Sequence, residues 1–163
     1  MMYWFESLEE KHRRPVIDLY NYYVDHGYSI FHDYNVGYDF FDQFVGKAEG
    51  YPKIAVRSYW GRLAGFSFLK PFLMPNSTAK AAEITSFISP EFTGKGIGTE
   101  ILNYMFDKAR DMGISSIIAS ASSLNQGSIN QLKKYGFQEN GSMRRAGIKN
   151  GKVFDVIFMR KDT

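Results

Sequence analysis

The chain has no cysteine among its 163 residues, which excludes disulfides, thiolate-held metals and a cysteine nucleophile. Its three histidines, His12, His26 and His32, all fall in the N-terminal third. No His-Glu-x-x-His pair occurs and their spacing suits no metal set, so they read as surface or loop histidines and no metal site is expected. No apolar run approaches the roughly 20 residues a spanning helix needs, so no membrane contact is expected. The opening Met-Met-Tyr-Trp-Phe-Glu lacks the basic flank, apolar stretch and cleavage site of a secretory signal, which makes a cytoplasmic location the expectation. Charge of one sign is lacking too: 20 Lys and Arg against 17 Asp and Glu leave +3, interleaved along the chain. That argues against a nucleic-acid partner. The densest basic pairs, Lys133-Lys134 and Arg144-Arg145, read as solvated surface charge or as help in holding a phosphorylated ligand. No repeat, low-complexity tract or linker divides the sequence, so residues 1–163 are expected to form one domain. The Asn76-Ser-Thr78 triplet matches a glycosylation acceptor but reads as a plain loop.

What is present is regular patterning. Residues 2–5 read as a strand, and Ser7-Leu-Glu-Glu10 resembles a capping box. A helix is expected over 14–26, closed by Gly27, with Val16, Leu19, Tyr20, Tyr23 and Val24 as its apolar stripe. The aromatic, glycine-bearing segment 28–37 has no regular period and reads as a loop able to shape a pocket. A short helix over 38–48 presents Phe40, Phe41, Phe44 and Val45. Strands over 53–59 and 62–68, turning at Trp60-Gly61, predict an antiparallel hairpin. Pro71 and Pro75 mark a surface loop. Extended structure resumes over 82–89, with Ile84, Ser86 and Ile88 on one face and Glu83, Thr85 and Phe87 on the other. Apolar residues from Ile97 to Met112 recur at helical spacing until Gly113, and a near-continuous apolar run over 114–120 follows, which makes a βαβ unit. A helix over 126–135 ends at Gly136, and two strands meet at Asn150-Gly151, a strong hairpin signal. The expected fold is α/β of the α+β kind: a mixed, mostly antiparallel twisted sheet with a central βαβ unit and flanking helices.

The junction Ile88-Ser-Pro-Glu-Phe-Thr-Gly-Lys-Gly-Ile-Gly98 lies between a strand and an amphipathic helix. Its glycines allow a tight turn that exposes N–H groups, and the new helix adds unpaired donors at the positive end of its dipole. An anion such as a phosphate should bind there through backbone. Glycine strings alone are weak evidence. A dinucleotide fold would place them after a first strand, and no Gly-Lys-Ser/Thr completes a phosphate-binding Walker loop.

These residues resemble the GNAT superfamily of acyl-CoA-dependent N-acetyltransferases, and within it the phosphinothricin acetyltransferase branch. Thr93-Gly-Lys-Gly-Ile-Gly98 is similar to the family's Gln/Arg-x-x-Gly-x-Gly/Ala loop. Asn125-Gln-Gly-Ser128 leading to Tyr135-Gly-Phe137 looks like its pantetheine-side helix. The tail Arg144-Arg-Ala-Gly-Ile-Lys-Asn-Gly-Lys-Val-Phe-Asp155-Val is similar to a run of the phosphinothricin branch.

The resemblance implies acetyl-CoA as donor, its diphosphate held by the backbone around Thr93, Gly94, Lys95, Gly96, Ile97, Gly98 and Thr99. Pantetheine would extend the strand edge at Ser86, Phe87 and Ile88, with Asn125 and Ser128 on the arm, although Asn125 also suits a helix cap. Glu83 falls where the family's general base stands, taking the proton from an ammonium that cannot otherwise attack a thioester. The alternative is a rim carboxylate paired with a lysine. A strand N–H near Phe87 or Ile88 would steady charge on the carbonyl oxygen. The first loop residue is Thr93 where the family has glutamine or arginine. Leu132 stands where the superfamily often has tyrosine and this branch histidine, so the usual acid for the departing thiolate is missing; Tyr135 would replace it or merely pack, and solvent is a further source. The implied acceptor is a small amino-acid-like primary amine, in a pocket mapping onto Tyr28, Phe31, His32 and Phe72, with Arg144 or Lys149 for a carboxylate. Loop packing explains each aromatic equally well. Acetylation of proteins or peptides, and a non-catalytic acyl-CoA-binding domain, are the alternatives, and a homodimer is expected from the branch.

Overall fold

A computed structural model describes residues 2–74 and 79–163; Pro75 and the triplet Asn76-Ser-Thr78 lie outside the described residues. Among the described residues seven strands and four α-helices follow one another as β1 (Tyr3–Ser7), α1 (Arg13–Asp25), α2 (Phe40–Gly46), β2 (Lys53–Ser58), β3 (Leu63–Pro71), β4 (Ala81–Ile88), α3 (Ile97–Asp111), β5 (Ser116–Ser122), α4 (Gln126–Lys134), β6 (Gln138–Lys149) and β7 (Lys152–Asp162). Single turns of 3-10 helix, Glu10–His12 and Pro90–Phe92, precede α1 and the glycine loop. The strands form one sheet in the order β1-β2-β3-β4-β5-β7-β6, antiparallel throughout except where β4 meets β5.

The central strands of the sheet bury both faces. Ile84, Ile117 and Met159 pack on Ile97, Ile101 and Met105 of α3, whereas Phe66 and Phe68 pack on Val16 and Ile17 of α1 and Phe41 of α2. Period-2 alternation in β4 puts Ile84 against the first layer and turns Phe87 toward the second. Ile17 joins the buried side of α1 beyond the stripe read from the sequence.

Local chemistry moves several boundaries. Ser7 ends β1 and caps nothing; α1 is instead entered through a buried His12. The Glu9 N–H donates to His12 Nδ1 at 2.9 Å, so Nε2 carries the proton and donates to Glu6 at 2.7 Å. His12 is thus a core histidine, not the surface one expected. Arg57 also donates to Glu6, and these two hydrogen bonds, with that of Arg57 the larger influence, hold the Glu6 carboxyl at about 2. Helix α3 closes with Gly113 at φ +76°, its N–H on Arg110 and that of Ile114 on Ala109. Ser115 and Ser116 both donate to Lys80, so β5 begins at Ser116, two residues later than the apolar run suggests. At the tail, Asn150 and Gly151 at φ +51° and +79° make the two-residue turn between β6 and β7.

One topological detail positions the candidate site. β4 pairs with β5 only from Ala81 to Glu83, opposite Ser116 to Ile118. Beyond Glu83 the two strands diverge while β4 stays paired with β3 as far as Ile88. The sheet is split by a fork with Glu83 at its base.

Candidate active site

Along the upper arm of the fork, the β5-facing edge of β4 from Ile84 to Ile88 has no strand partner among the described residues, which leaves outward N–H and C=O groups for an extended ligand to pair with. Ser86, the exposed residue of that arm, adds no bulk. The arm runs into the Pro90–Phe92 turn and then the glycine loop. Gly94 and Gly96 take φ +73° and +86°, a conformation in which a side chain is strained. Among the described residues the N–H groups of Gly94, Lys95 and Gly96 find no protein acceptor, and those of Ile97, Gly98 and Thr99 lie in the first turn of α3, where no preceding carbonyl serves them. Thr93 turns its hydroxyl back onto the Pro90 carbonyl at 2.8 Å, and Lys95 lies over the Phe92 ring. Six main-chain donors without a protein acceptor therefore gather at a helix N-terminus, the chemistry of a diphosphate cradle.

Glu83 is 21% exposed at its side chain, with Lys70 Nζ 3.6 Å from its Oε1 and Ser120 Oγ 3.4 Å from the same oxygen. Lys70 stands opposite Glu83 in the β3–β4 register. Both the lysine pairing considered from the sequence and a position facing the fork are realised together. Lys70 and Ser120 were not singled out in the sequence, although pairing β3 and β4 about the loop after Pro71 would have put Lys70 there.

Across the fork, Asn125 caps α4: its Oδ1 accepts the Ser128 N–H at 3.2 Å, and its Nδ2 donates to Ser29 at 3.3 Å. The cap and a tie to the 28–37 loop coexist. That loop is pinned from several sides. Lys149 Nζ donates to the Ile30 carbonyl at 2.8 Å, Phe31 packs on Phe154 of β7 at 5.5 Å, and Lys152 lies over Tyr28. His32 Nε2 meets the Tyr20 hydroxyl at 2.8 Å, and its ring stacks on Tyr34 at 4.2 Å. Burial pushes the Tyr20 phenol up to about 12, with Tyr34 adding to it; burial pulls His32 below its ordinary value, and the Lys149 charge pulls the same way. Tyr20 and Tyr23 reach Phe87 on the fork arm at 6.3 and 5.5 Å, and Tyr23 donates its hydroxyl to the Ile88 carbonyl at 2.5 Å. The aromatic stripe of α1 therefore walls the fork as well as filling the core.

The two candidate anchors for an acceptor carboxylate behave differently. Lys149 is 1% exposed and already bonded to Ile30. Arg144 is exposed in the irregular stretch of β6 between Met143 and Gly147, where Asp155 fixes the left-handed Arg145 by accepting its N–H at 2.8 Å. Phe72 lies outside the 28–37 group and packs on Phe158 of β7 at 6.1 Å. Leu132 packs against the core of the α3 layer. The Tyr135 hydroxyl lies beside the position a Cβ on Gly98 would take, at the glycine loop. No group of three or more metal-ligating side chains occurs among the described residues, and none of their helices is long and apolar enough to cross a membrane.

A free strand edge running into a glycine-lined helix entrance suits a phosphorylated ligand with an extended, amide-bearing arm. Residues 4–137 match the acetyltransferase (GNAT) family, and the chain belongs to that family; its relatives and fold neighbours include phosphinothricin acetyltransferases. It is 27% identical over 149 residues to the L-amino acid N-acyltransferase MnaT of Escherichia coli, covering 89% of this chain and 85% of the relative. It is 24% identical over 148 residues to a phosphinothricin N-acetyltransferase of Streptomyces viridochromogenes, covering 90% and 80%. In fold it is similar to a GNAT superfamily phosphinothricin acetyltransferase from Sinorhizobium meliloti in complex with AcCoA, with a TM-score of 0.88 at 22% identity, covering 99% and 89%. The protein is an N-acetyltransferase with acetyl-CoA as co-substrate.

Proposed function

We propose that this enzyme acetylates the primary amine of a small, amino-acid-like molecule by direct attack on acetyl-CoA, with Glu83 as general base and residues 1–163 acting as one domain. The observation that carries the reading is Glu83 at the base of the fork, continuous through the free edge of β4 with the donor-lined loop at α3. Bound acetyl-CoA supplies the activated acetyl group. The main-chain donors from Gly94 to Thr99 neutralise its diphosphate, the edge at Ser86, Phe87 and Ile88 aligns the pantetheine amides, and Asn125 with Ser128 closes the other side. Glu83 accepts the proton that an ammonium must lose before it can attack. A β4 N–H near Phe87 steadies charge on the carbonyl oxygen. The departing thiolate takes its proton from water, since Leu132, which packs against the core, has no acidic hydrogen and thiolates leave readily.

The acceptor pocket in this reading is walled by Tyr28, Phe31 and His32 on one side and Phe72 on the other. A small acceptor suits a loop tied down at Ile30, Phe31 and His32, because a peptide would need an open groove. The names of the relatives, an amino-acid acyltransferase and a phosphinothricin acetyltransferase, agree with it. The reading includes a cytoplasmic location, where acetyl-CoA is held, and a homodimer, supported by exposed Met143, Ile148 and Val153 on the hairpin at the β6 edge of the sheet. Sedimentation at micromolar concentration checks the dimer: a single species of 18.7 kDa refutes it.

The test of function is CoA release across a panel of free amino acids and their analogues alongside short peptides. Turnover with the free amino acids, lost in Glu83→Gln, supports the reading. Turnover with peptides alone replaces the acceptor class, and acetyl-CoA binding with no turnover makes the chain an acyl-CoA-binding domain.

A further inference from the structure

Tyr135 occupies the C-cap of α4, in a helix end with little freedom. Gly136, at φ +95°, donates its N–H to the Lys133 carbonyl at 3.0 Å, and Phe137 donates to Leu132 at 3.0 Å. The Tyr135 carbonyl accepts from Lys161 Nζ at 2.7 Å. With the backbone held at both sides, the half-buried ring points its hydroxyl at the start of α3. A Cβ built on Gly98 would stand 3.1 Å from the phenolic oxygen, closer than ordinary van der Waals contact. The same oxygen accepts the Gln131 side-chain N–H at 2.9 Å. A phenol has one hydrogen to give, and with Gln131 as donor that hydrogen remains free beside the unpaired N–H groups of α3.

We propose that Tyr135 is a positioning residue for the donor substrate: its hydroxyl donates to the diphosphate of acetyl-CoA, adding one side-chain hydrogen bond to a cradle otherwise made of backbone. Gly98 follows from the same geometry, because a Cβ there would stand 3.1 Å from the phenolic oxygen and crowd it out of place. This inference rests on the reading of residues 93–99 as the diphosphate cradle. It assigns Tyr135 a binding role at the loop, distinct from protonation of the thiolate.

The test compares acetyl-CoA with acetylpantetheine, a thioester donor that lacks the diphosphate, in the wild type and Tyr135→Phe, which keeps the ring. A hydrogen bond to a charged group corresponds to roughly a 10- to 100-fold change in affinity. Tyr135→Phe should raise the KM and Kd for acetyl-CoA by about that factor, leave kcat at saturation unchanged, and leave the KM for acetylpantetheine unchanged. An equal loss with both donors, a loss in kcat alone, or no loss overturns the inference. A second variant gives an independent arm. Gly98→Ala should weaken acetyl-CoA binding in the wild type and weaken it less in Tyr135→Phe, where the colliding oxygen is gone; equal penalties in both backgrounds overturn the proposal. Wild-type protein that binds no acetyl-CoA sinks the cradle itself, whereas tight binding indifferent to Tyr135→Phe sinks this inference alone.

Discussion

On the α3 side of the fork the proposed ligand contacts are main-chain N–H and C=O from one continuous stretch, residues 84–99, whereas on the α1 side they are side chains gathered from α1, the 28–37 loop, Phe72 just after β3 and the β6–β7 hairpin. The first wall depends on glycine conformations and on a missing strand partner. The second depends on contacts such as Lys149 to Ile30, 119 residues apart in sequence. Backbone recognition tolerates most side-chain changes and binds a constant ligand, the donor. A side-chain wall can change residue by residue, and in the proposed function acceptor choice resides there.

The sharpest way to break this comparison is at Glu83, which belongs to neither wall. Glu83→Gln should lower kcat by about 10²–10⁴-fold, the usual worth of a general base, with unchanged acetyl-CoA affinity by calorimetry; an equal loss of affinity would return Glu83 to a structural partner of Lys70. Next in size is Lys149→Met on the acceptor wall. It leaves the buried Ile30 carbonyl without its donor and should cost about 1–3 kcal/mol of stability, seen as a lower Tm together with a raised acceptor KM and an unaltered KM for acetyl-CoA. The pH dependence has a definite sign. Burial, the larger influence, holds the Lys149 ammonium below the ordinary lysine value despite Asp33 and Asp25, so the folded state binds fewer protons than the unfolded one between the depressed value and about 10.4. Stability from this group rises with pH through that window. Subtracting the Lys149→Met profile from that of the wild type should therefore show a positive slope on the alkaline side, and a flat difference would refute the assignment.

On the donor wall, Gly96→Val forces a left-handed φ on a β-branched residue, at about 1–2 kcal/mol. If that strain is relieved by reshaping the loop, acetyl-CoA affinity falls by roughly 5- to 30-fold while acceptor KM holds; a change in the acceptor KM would merge the two walls. The smallest expected effect is Tyr20→Phe. Losing its bond to His32 should cost about 0.5–1.5 kcal/mol, read as a roughly 2- to 10-fold rise in acceptor KM with donor KM unmoved.

Much of this fold was legible in the sequence because its signals are local. Alternation set the faces of β4, helical spacing set α3, and Asn150-Gly151 set the last hairpin. Errors fell where a distant partner overrides local pattern. Ser7-Leu-Glu-Glu10 looks like a helix cap, yet Ser7 is drawn into β1 by pairing with Ile54 of β2, and His12 takes over the entry to α1. Ile114 looks like strand, but its N–H is needed to close α3. Lys149 looks like a free cation for a carboxylate, whereas folding buries it under the loop. Tyr20 and Tyr23 were visible only as core residues, because their hydroxyl partners, His32 and the Ile88 carbonyl, are set by docking of α1 on the sheet.

The sequence by itself determined the strand-loop-helix unit and its run of free donors, since φ preferences, helix ends and periodicity act over a few neighbouring residues. Only the tertiary structure decided that β4 and β5 part at Glu83, which side chains wall the resulting fork, and that a tyrosine from α4 meets Gly98. Those are outcomes of packing between segments remote in the chain, where the geometry of closest approach, and not local propensity, selects the contacts.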